Sequence, residues 1–370
     1  MFTAHAKQRH GSLHAGVAVS DRQSRPQSQR FRARLVVPCF FVAATLGCWA
    51  IGLALPFREV PVVGQKIDFL LEHGDQFDTL FLGSSRVQHQ ILPDVFDRLM
   101  ADAGQPTRSF NLAADSMRPP EDSFVLERVL QARTKPLRWV FLESNTLRVR
   151  ADPGVRGTRR AIYWHDSKRL YWLFRDAFDA ARSGRTQWFD NRRAVDFFEH
   201  AELWFDNATN LGRLTAFADG LETNAAALPS WNDLGSQRDG FVPAARPQTM
   251  SGKDLADYRR QLAERRQKPA LLLHFDVNTQ AMFDEEAASI VRAGGQPVLL
   301  IPPTTTTSRY YPRADGKQRF LVLDFSSPVE YPELFVEEHR LDTTHLNTRG
   351  AEAFTAVLVR RLLEIAHRSP

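Results

Sequence analysis

Cysteine is nearly missing from this chain. Only Cys39 and Cys48 occur, and both lie in one uncharged apolar stretch, Leu35–Phe57. On one helix they would stand roughly 13 Å apart, too far for a disulfide. Residues 58–370 hold no cysteine. That excludes a disulfide framework, a thiolate metal site and a thiol nucleophile there. An excess of base is missing from the same part. The net charge is +5, but residues 1–34 carry seven Lys or Arg against one acid, Asp21. The remainder holds 41 basic and 42 acidic residues, a balance that argues against a nucleic-acid partner. Internal repeats are absent too. The composition, 43% hydrophobic and 25% charged, is that of a globular protein.

What is present begins with the apolar stretch. Leu35–Phe57 is long enough to cross a bilayer, which takes about 20 apolar residues in helical form. The basic residues before it keep the N-terminus in the cytoplasm. A signal-peptide core usually runs only about 7–15 residues, so an uncleaved anchor is expected, with cleavage after Gly52-Leu53-Ala54 as the alternative. The chain thus divides into a disordered cytoplasmic tail (1–34), a single-pass anchor in the inner (cytoplasmic) membrane (35–57) and an extracytoplasmic, periplasmic domain (58–370).

Hydrophobic patterning predicts an α/β domain. Helices are expected at Val62–His73, Leu92–Ala103 and Glu121–Ala132. Apolar strands are expected at Thr79–Leu82, Ser109–Leu112 and Leu137–Leu142. This βαβαβ run predicts a parallel sheet covered on both faces. Residues ~150–265 break the pattern and read as a mainly helical insertion rich in aromatics, including Tyr163, Trp164, Tyr171, Trp172, Trp188, Trp204 and Trp231. Asp254–Arg265 and Phe275–Arg292 look helical. Strands return at Pro297–Ile301 and Phe320–Asp324, and Gly350–Ala366 is an amphipathic helix.

The residues able to do chemistry follow strand ends, where open parallel sheets bind ligands. Gly83-Ser84-Ser85 follows the first strand, and a serine there is a nucleophile if a histidine reaches it. Asp342-Thr343-Thr344-His345 puts a carboxylate and an imidazole on one loop, so that the acid can orient the base. His339, Asp342 and His345 together also admit a metal, but no matching ligand cluster occurs elsewhere, and no metal or cofactor is expected. The Asn145 amide can donate to an oxyanion. Small residues at Ala113 and Ala114 let a backbone N–H approach the same point.

In order and position these blocks resemble the SGNH (GDSL-like) hydrolase superfamily, across residues 78–145 and 290–366. Ser84 replaces the usual Asp in Phe81-Leu82-Gly83-Ser84-Ser85-Arg86, Ala113 or Ala114 stands where Gly is expected, and Asn145 sits in Glu143-Ser144-Asn145. Asp342 and His345 match the last block fully. The Gly-Ser-Ser form, and the segment from Asp324-Phe325-Ser326 to His345-Leu346-Asn347, are similar to the envelope branch that serves alginate O-acetylation and teichoic acid D-alanyl transfer. The resemblance implies a three-layer, flavodoxin-like fold. It implies a triad of Ser85, Asp342 and His345, with Ser85, Ala113, Ala114 and Asn145 around the oxyanion, and Ser84 hydrogen-bonded within its turn. The activity expected is that of an O-acyltransferase or esterase on a polysaccharide or acylated glycan, with a multi-pass membrane acyltransferase as a further partner. The alternative is a non-catalytic envelope scaffold.

Overall fold

The computed structural model describes residues 27–55, 60, 62–147, 158–182, 191–222, 234–244 and 250–366. Helix α1 spans Gln27–Ala54. It begins eight residues before the expected anchor, because Gln, Arg and Ala extend a helix readily once the apolar run has nucleated it. The expected disorder of 1–26 lies outside the described residues, as do Pro56 and Phe57. Val36–Ala54 is long and apolar enough to cross a membrane. The chain parts into two compact units at Gly47–Cys48, so the last turns of α1 belong with the body that follows.

That body alternates helices and strands: α2 (Gly64–His73), β1 (Thr79–Leu82), α3 (Ser85–Gln88), α4 (Pro93–Asp102), β2 (Ser109–Asn111), α5 (Glu121–Gln131) and β3 (Trp139–Glu143). Helices α6 (Arg159–Tyr163), α7 (Ser167–Arg182), α8 (Asn191–Ala208), α9 (Leu211–Glu222) and α10 (Gly252–Gln267) come next. The chain then forms β4 (Leu271–His274), α11 (Val277–Arg292), β5 (Gln296–Ile301), β6 (Ser308–Tyr311), β7 (Leu321–Asp324) and α12 (Thr348–Ala366). Five strands form a wholly parallel sheet in the order β2-β1-β3-β5-β7. Strands β4 and β6 pair separately. With those two passed over, the order is that of a doubly wound sheet.

Successive strand residues point to opposite faces, and the sheet therefore has two cores. Leu80, Leu82, Val140, Leu142 and Leu299 pack with α2, α5 and α11. Phe81, Trp139, Phe141, Val298 and Leu300 pack with α4, α10 and α12. The expected parallel sheet is present, with each anticipated strand within two residues of its place at either end. The insertion is shorter than expected at its far end. Tyr258 and Leu262 of α10 are part of the second core, so α10 belongs to the α/β body. Of the insertion's aromatics, Trp164 and Trp172 are buried in packing, whereas Trp188 and Trp231 lie outside the described residues.

The segment 234–244 covers the free edge of β2, where Asn111 N–H donates to Asp239 O (2.7 Å). Gly240 (φ 82°) must be glycine there, since a Cβ would fall 2.1 Å from the Asn111 carbonyl oxygen. An edge covered in this way is closed to pairing with other chains.

Candidate active site

Strand β1 delivers the chain to Gly83, where a Cβ would stand 2.7 Å from the Glu143 side chain at the end of β3. Only glycine permits that approach. Ser84 N–H donates to Glu143 Oε2 (2.6 Å), and Ser84 Oγ accepts from Arg86 N–H (3.4 Å), capping α3. Ser84 is thus held within the turn, and the next residue, Ser85, is turned outward.

Ser85 Oγ lies 2.8 Å from His345 Nε2. On the other side of the ring, His345 Nδ1 donates to Asp342 Oδ2 (2.8 Å). Asp342 Oδ1 also accepts the N–H groups of Thr344 (2.8 Å) and His345 (2.8 Å). Partial burial alone would raise the Asp342 carboxyl, but these hydrogen bonds outweigh it and hold it well below the usual carboxylate range. The loop is closed by Leu341 N–H to His345 O (2.9 Å). It is anchored by the fully buried Arg340, which donates to Pro303 O (2.8 Å) and Leu334 O (2.8 Å). Asn347 then caps α12 through Gly350 N–H (3.1 Å). His339 turns Nδ1 to the Glu333 carbonyl (3.1 Å). Among the described residues no group of three His, Cys, Asp or Glu is placed to hold a metal.

The oxyanion side differs in part from the expectation. Asn145 is buried, its Oδ1 accepts from Arg86 Nη2 (2.9 Å), and its Nδ2 has no partner among the described residues. An amide N–H₂ left unbonded in a buried place, beside the Ser84–Ser85 turn, is available to donate to a developing anion. Ala113 and Ala114 are otherwise engaged. Ala113 N–H donates to Asn111 Oδ1 (3.2 Å) and Ala114 N–H to Gly83 O (3.1 Å). The position that favours glycine is Ser116 (φ 61°), third in the turn closed by Met117 N–H to Ala114 O (3.0 Å). The N–H groups of Asp115 and Ser116 meet no acceptor among the described residues.

Several supporting residues carried no signal in the sequence. Arg86 binds both Asn145 and the buried Glu143 (2.6 Å). Lys66, fully buried on α2, donates to Ala113 O (2.6 Å). His89 joins Asp115 Oδ1 (2.9 Å) to Val242 O (2.6 Å). Arg160 of the insertion donates to Asp115 O (2.7 Å) while pairing with Glu121. The 113–116 loop is therefore clamped by the insertion, by the 234–244 segment and by α2.

Behind that clamp lie two fully buried acids, Asp122 on α5 and Glu286 on α11. Burial pushes Asp122 up to about 7, with further upward pressure from Glu121, and raises Glu286 as well, with Asp122 adding to it. The sign follows from proton counting. Between pH ~4 and ~7 the unfolded chain releases protons that the folded one keeps, so this pair makes stability fall as pH rises. Asp122→Asn removes its own share of that dependence and the upward push it gives Glu286. Its melting temperature should gain on the parent's from pH 4 to pH 7, and parallel curves over that range would contradict the assignment.

Compared with protein-family models, with curated proteins and with solved structures, the chain matches none.

Proposed function

We propose that the chain is a serine enzyme of acyl transfer. Within that class we place it with the SGNH hydrolases, in the envelope O-acyltransferase branch, its doubly wound sheet serving as the superfamily's three-layer fold. The observation that carries this reading is the hydrogen-bonded chain from Ser85 Oγ through His345 to Asp342, drawn together from residues 260 positions apart. The orphaned Nδ2 of Asn145 supports it.

The chemistry follows from the geometry. Ser85 Oγ attacks the acyl carbonyl carbon as its proton passes to His345 Nε2. Asp342 stabilises the imidazolium that forms. The carbonyl oxygen becomes an oxyanion, held by the Ser85 N–H and the Asn145 Nδ2. Collapse expels the donor's alcohol, which leaves with the His345 proton, and an acyl ester remains on Ser85. An acceptor hydroxyl then gives its proton to His345 and takes the acyl group, restoring the serine. Water as acceptor makes an esterase, and a sugar hydroxyl makes a transferase. We favour transfer to an envelope or secreted polysaccharide, because the anchor of α1 keeps the domain at the periplasmic face of the inner membrane. A multi-pass membrane acyltransferase would supply the acyl group.

Treating the detergent-solubilised full chain with a fluorophosphonate tests the reading. Mass spectrometry should place a single adduct on Ser85. The adduct should persist in Ser84→Ala and be lost in Ser85→Ala. An adduct that survives Ser85→Ala and is lost in Ser84→Ala would move the nucleophile by one residue, and none in the parent would count against the class.

A further inference from the structure

We infer that the outer face of α7–α9 lies in the headgroup layer of the bilayer that α1 spans, so that the helical insertion is a second membrane contact. This rests on the reading of α1 as a membrane anchor. Asn210, just before α9, donates its Nδ2 to Cys48 O (2.8 Å). Arg213 Nη1 lies 3.4 Å from both Gly52 O and Leu55 O. Gly52 is where the approach is tightest, since a Cβ there would fall 2.8 Å from Asn210 Nδ2.

These bonds fix the depth of α9. A span from Val36 that ended at Cys48 would be roughly 20 Å long, short of the about 30 Å of hydrocarbon it must cross. The residues from Cys48 to Ala54 are therefore needed inside the membrane. A side chain bonded to the Cys48 carbonyl then sits about 10 Å below the level of Leu55 along the helix. An amphipathic helix lying in the interface buries its apolar face to about that depth, 5–10 Å.

The surface chemistry agrees. Among the described residues outside α1, every exposed large aromatic side chain is on α7 or α8: Tyr171, Phe174, Phe178, Phe198 and Phe205. Tyr171, Phe174 and Phe178 form a stripe along α7, and Phe198 and Phe205 form one along α8. Phe174 meets Phe197 between them (5.7 Å). Leu211 and Leu214 continue the exposed apolar surface on α9. Aromatic side chains favour the layer between hydrocarbon and water. A water-facing helix pair would not expose them together. Glu202 stands exposed between Phe198 and Phe205, so the attraction is apolar and should be insensitive to salt.

The test uses the full chain in phosphatidylethanolamine–phosphatidylglycerol nanodiscs. Cys39→Ala and Cys48→Ala remove the native thiols, and Phe198→Cys, Phe205→Cys or Val42→Cys then carries a bimane label. Unchanged melting temperatures verify that each variant folds. A nitroxide on the lipid chain near the headgroup should quench labels at 198 and 205 by about twofold or more, at the depth of an interfacial face, whereas aqueous iodide should not. Quenching by iodide alone would show that the face is in water and would overturn the inference. Protection from both quenchers would mean that protein covers it, a second copy or a partner, and would overturn it equally. A label at 42 that lipid nitroxide at the bilayer centre fails to quench would remove the anchor and this inference together.

Discussion

Replacing His345 with alanine is expected to lower acyl-enzyme formation at least ~10⁴-fold while leaving the fold in place. The size follows from what the ring does. Its Nε2 lies 2.8 Å from Ser85 Oγ, placed to take its proton, and among the described residues no other imidazole bonds that oxygen. Without the base, Ser85 attacks as a neutral hydroxyl. Asp342→Asn should cost a similar or smaller factor, on the order of 10⁴, since the amide can present its N–H₂ to Nδ1 and favour the wrong tautomer. Folding should hardly respond. His345 is partly exposed, and the loop remains fixed through Arg340, Asn347 and the bridge between Arg340 and Leu346. The melting temperature of His345→Ala should stay within about 3 °C of the parent, the shift from losing ~1 kcal/mol of hydrogen bonding. Burst kinetics with a chromogenic acetyl ester, beside a thermal melt, measure both. Normal polymer acylation by a well-folded His345→Ala would leave the triad without a role and favour a scaffold.

The sheet and the triad were legible because each depends on local pattern. Leu80–Leu82 and Trp139–Leu142 are short continuous apolar runs, and runs of that length bounded by turn residues suit strands buried on both faces. Gly83-Ser84-Ser85 and Asp342-Thr343-Thr344-His345 hold their chemistry within a few residues. The rest depends on contacts distant in sequence. Strand β4 carries no clear strand signal because Leu271 and Leu272 are largely exposed and its partner β6 reads Ser-Arg-Tyr-Tyr. The place of α10 in the body is hidden in the sequence because its core side, Tyr258 and Leu262, shows only against α4 and α12. The left-handed position at Ser116 is silent in the sequence because a serine there carries no glycine signal. Likewise, nothing in the sequence tells that Lys66 or Arg86, two ordinary basic residues, point inward to carbonyl and amide oxygens.

The second large effect is expected at Asn145, where rate and stability should separate. Asn145→Ala should lower turnover by ~10²–10³, the usual cost of one oxyanion donor. The loss should fall on kcat with KM little changed, because the Nδ2 bond forms only as the carbonyl oxygen becomes charged. Stability should not fall with it. In the resting protein Nδ2 is buried and unbonded among the described residues, a condition that itself costs about 1–3 kcal/mol. Removing it offsets the lost bond between Oδ1 and Arg86. Arg86 needs a gentler change. Alanine there would strip the buried Glu143 of its counter-charge, at about 3–5 kcal/mol, and report on folding alone. Arg86→Lys keeps a charge for Glu143 but loses the fork that reaches Asn145 Oδ1 as well. It should melt close to the parent and turn over roughly 10-fold slower, through a misdirected amide. Combining Arg86→Lys with Asn145→Ala should then add almost nothing to Asn145→Ala alone, because the arginine acts through the amide. Full additivity of the two losses would detach Arg86 from Asn145. Turnover by Asn145→Ala within about threefold of the parent, far below the cost of a lost donor, would remove the amide from the oxyanion site and leave the backbone N–H groups of Ser85, Asp115 and Ser116 as its donors.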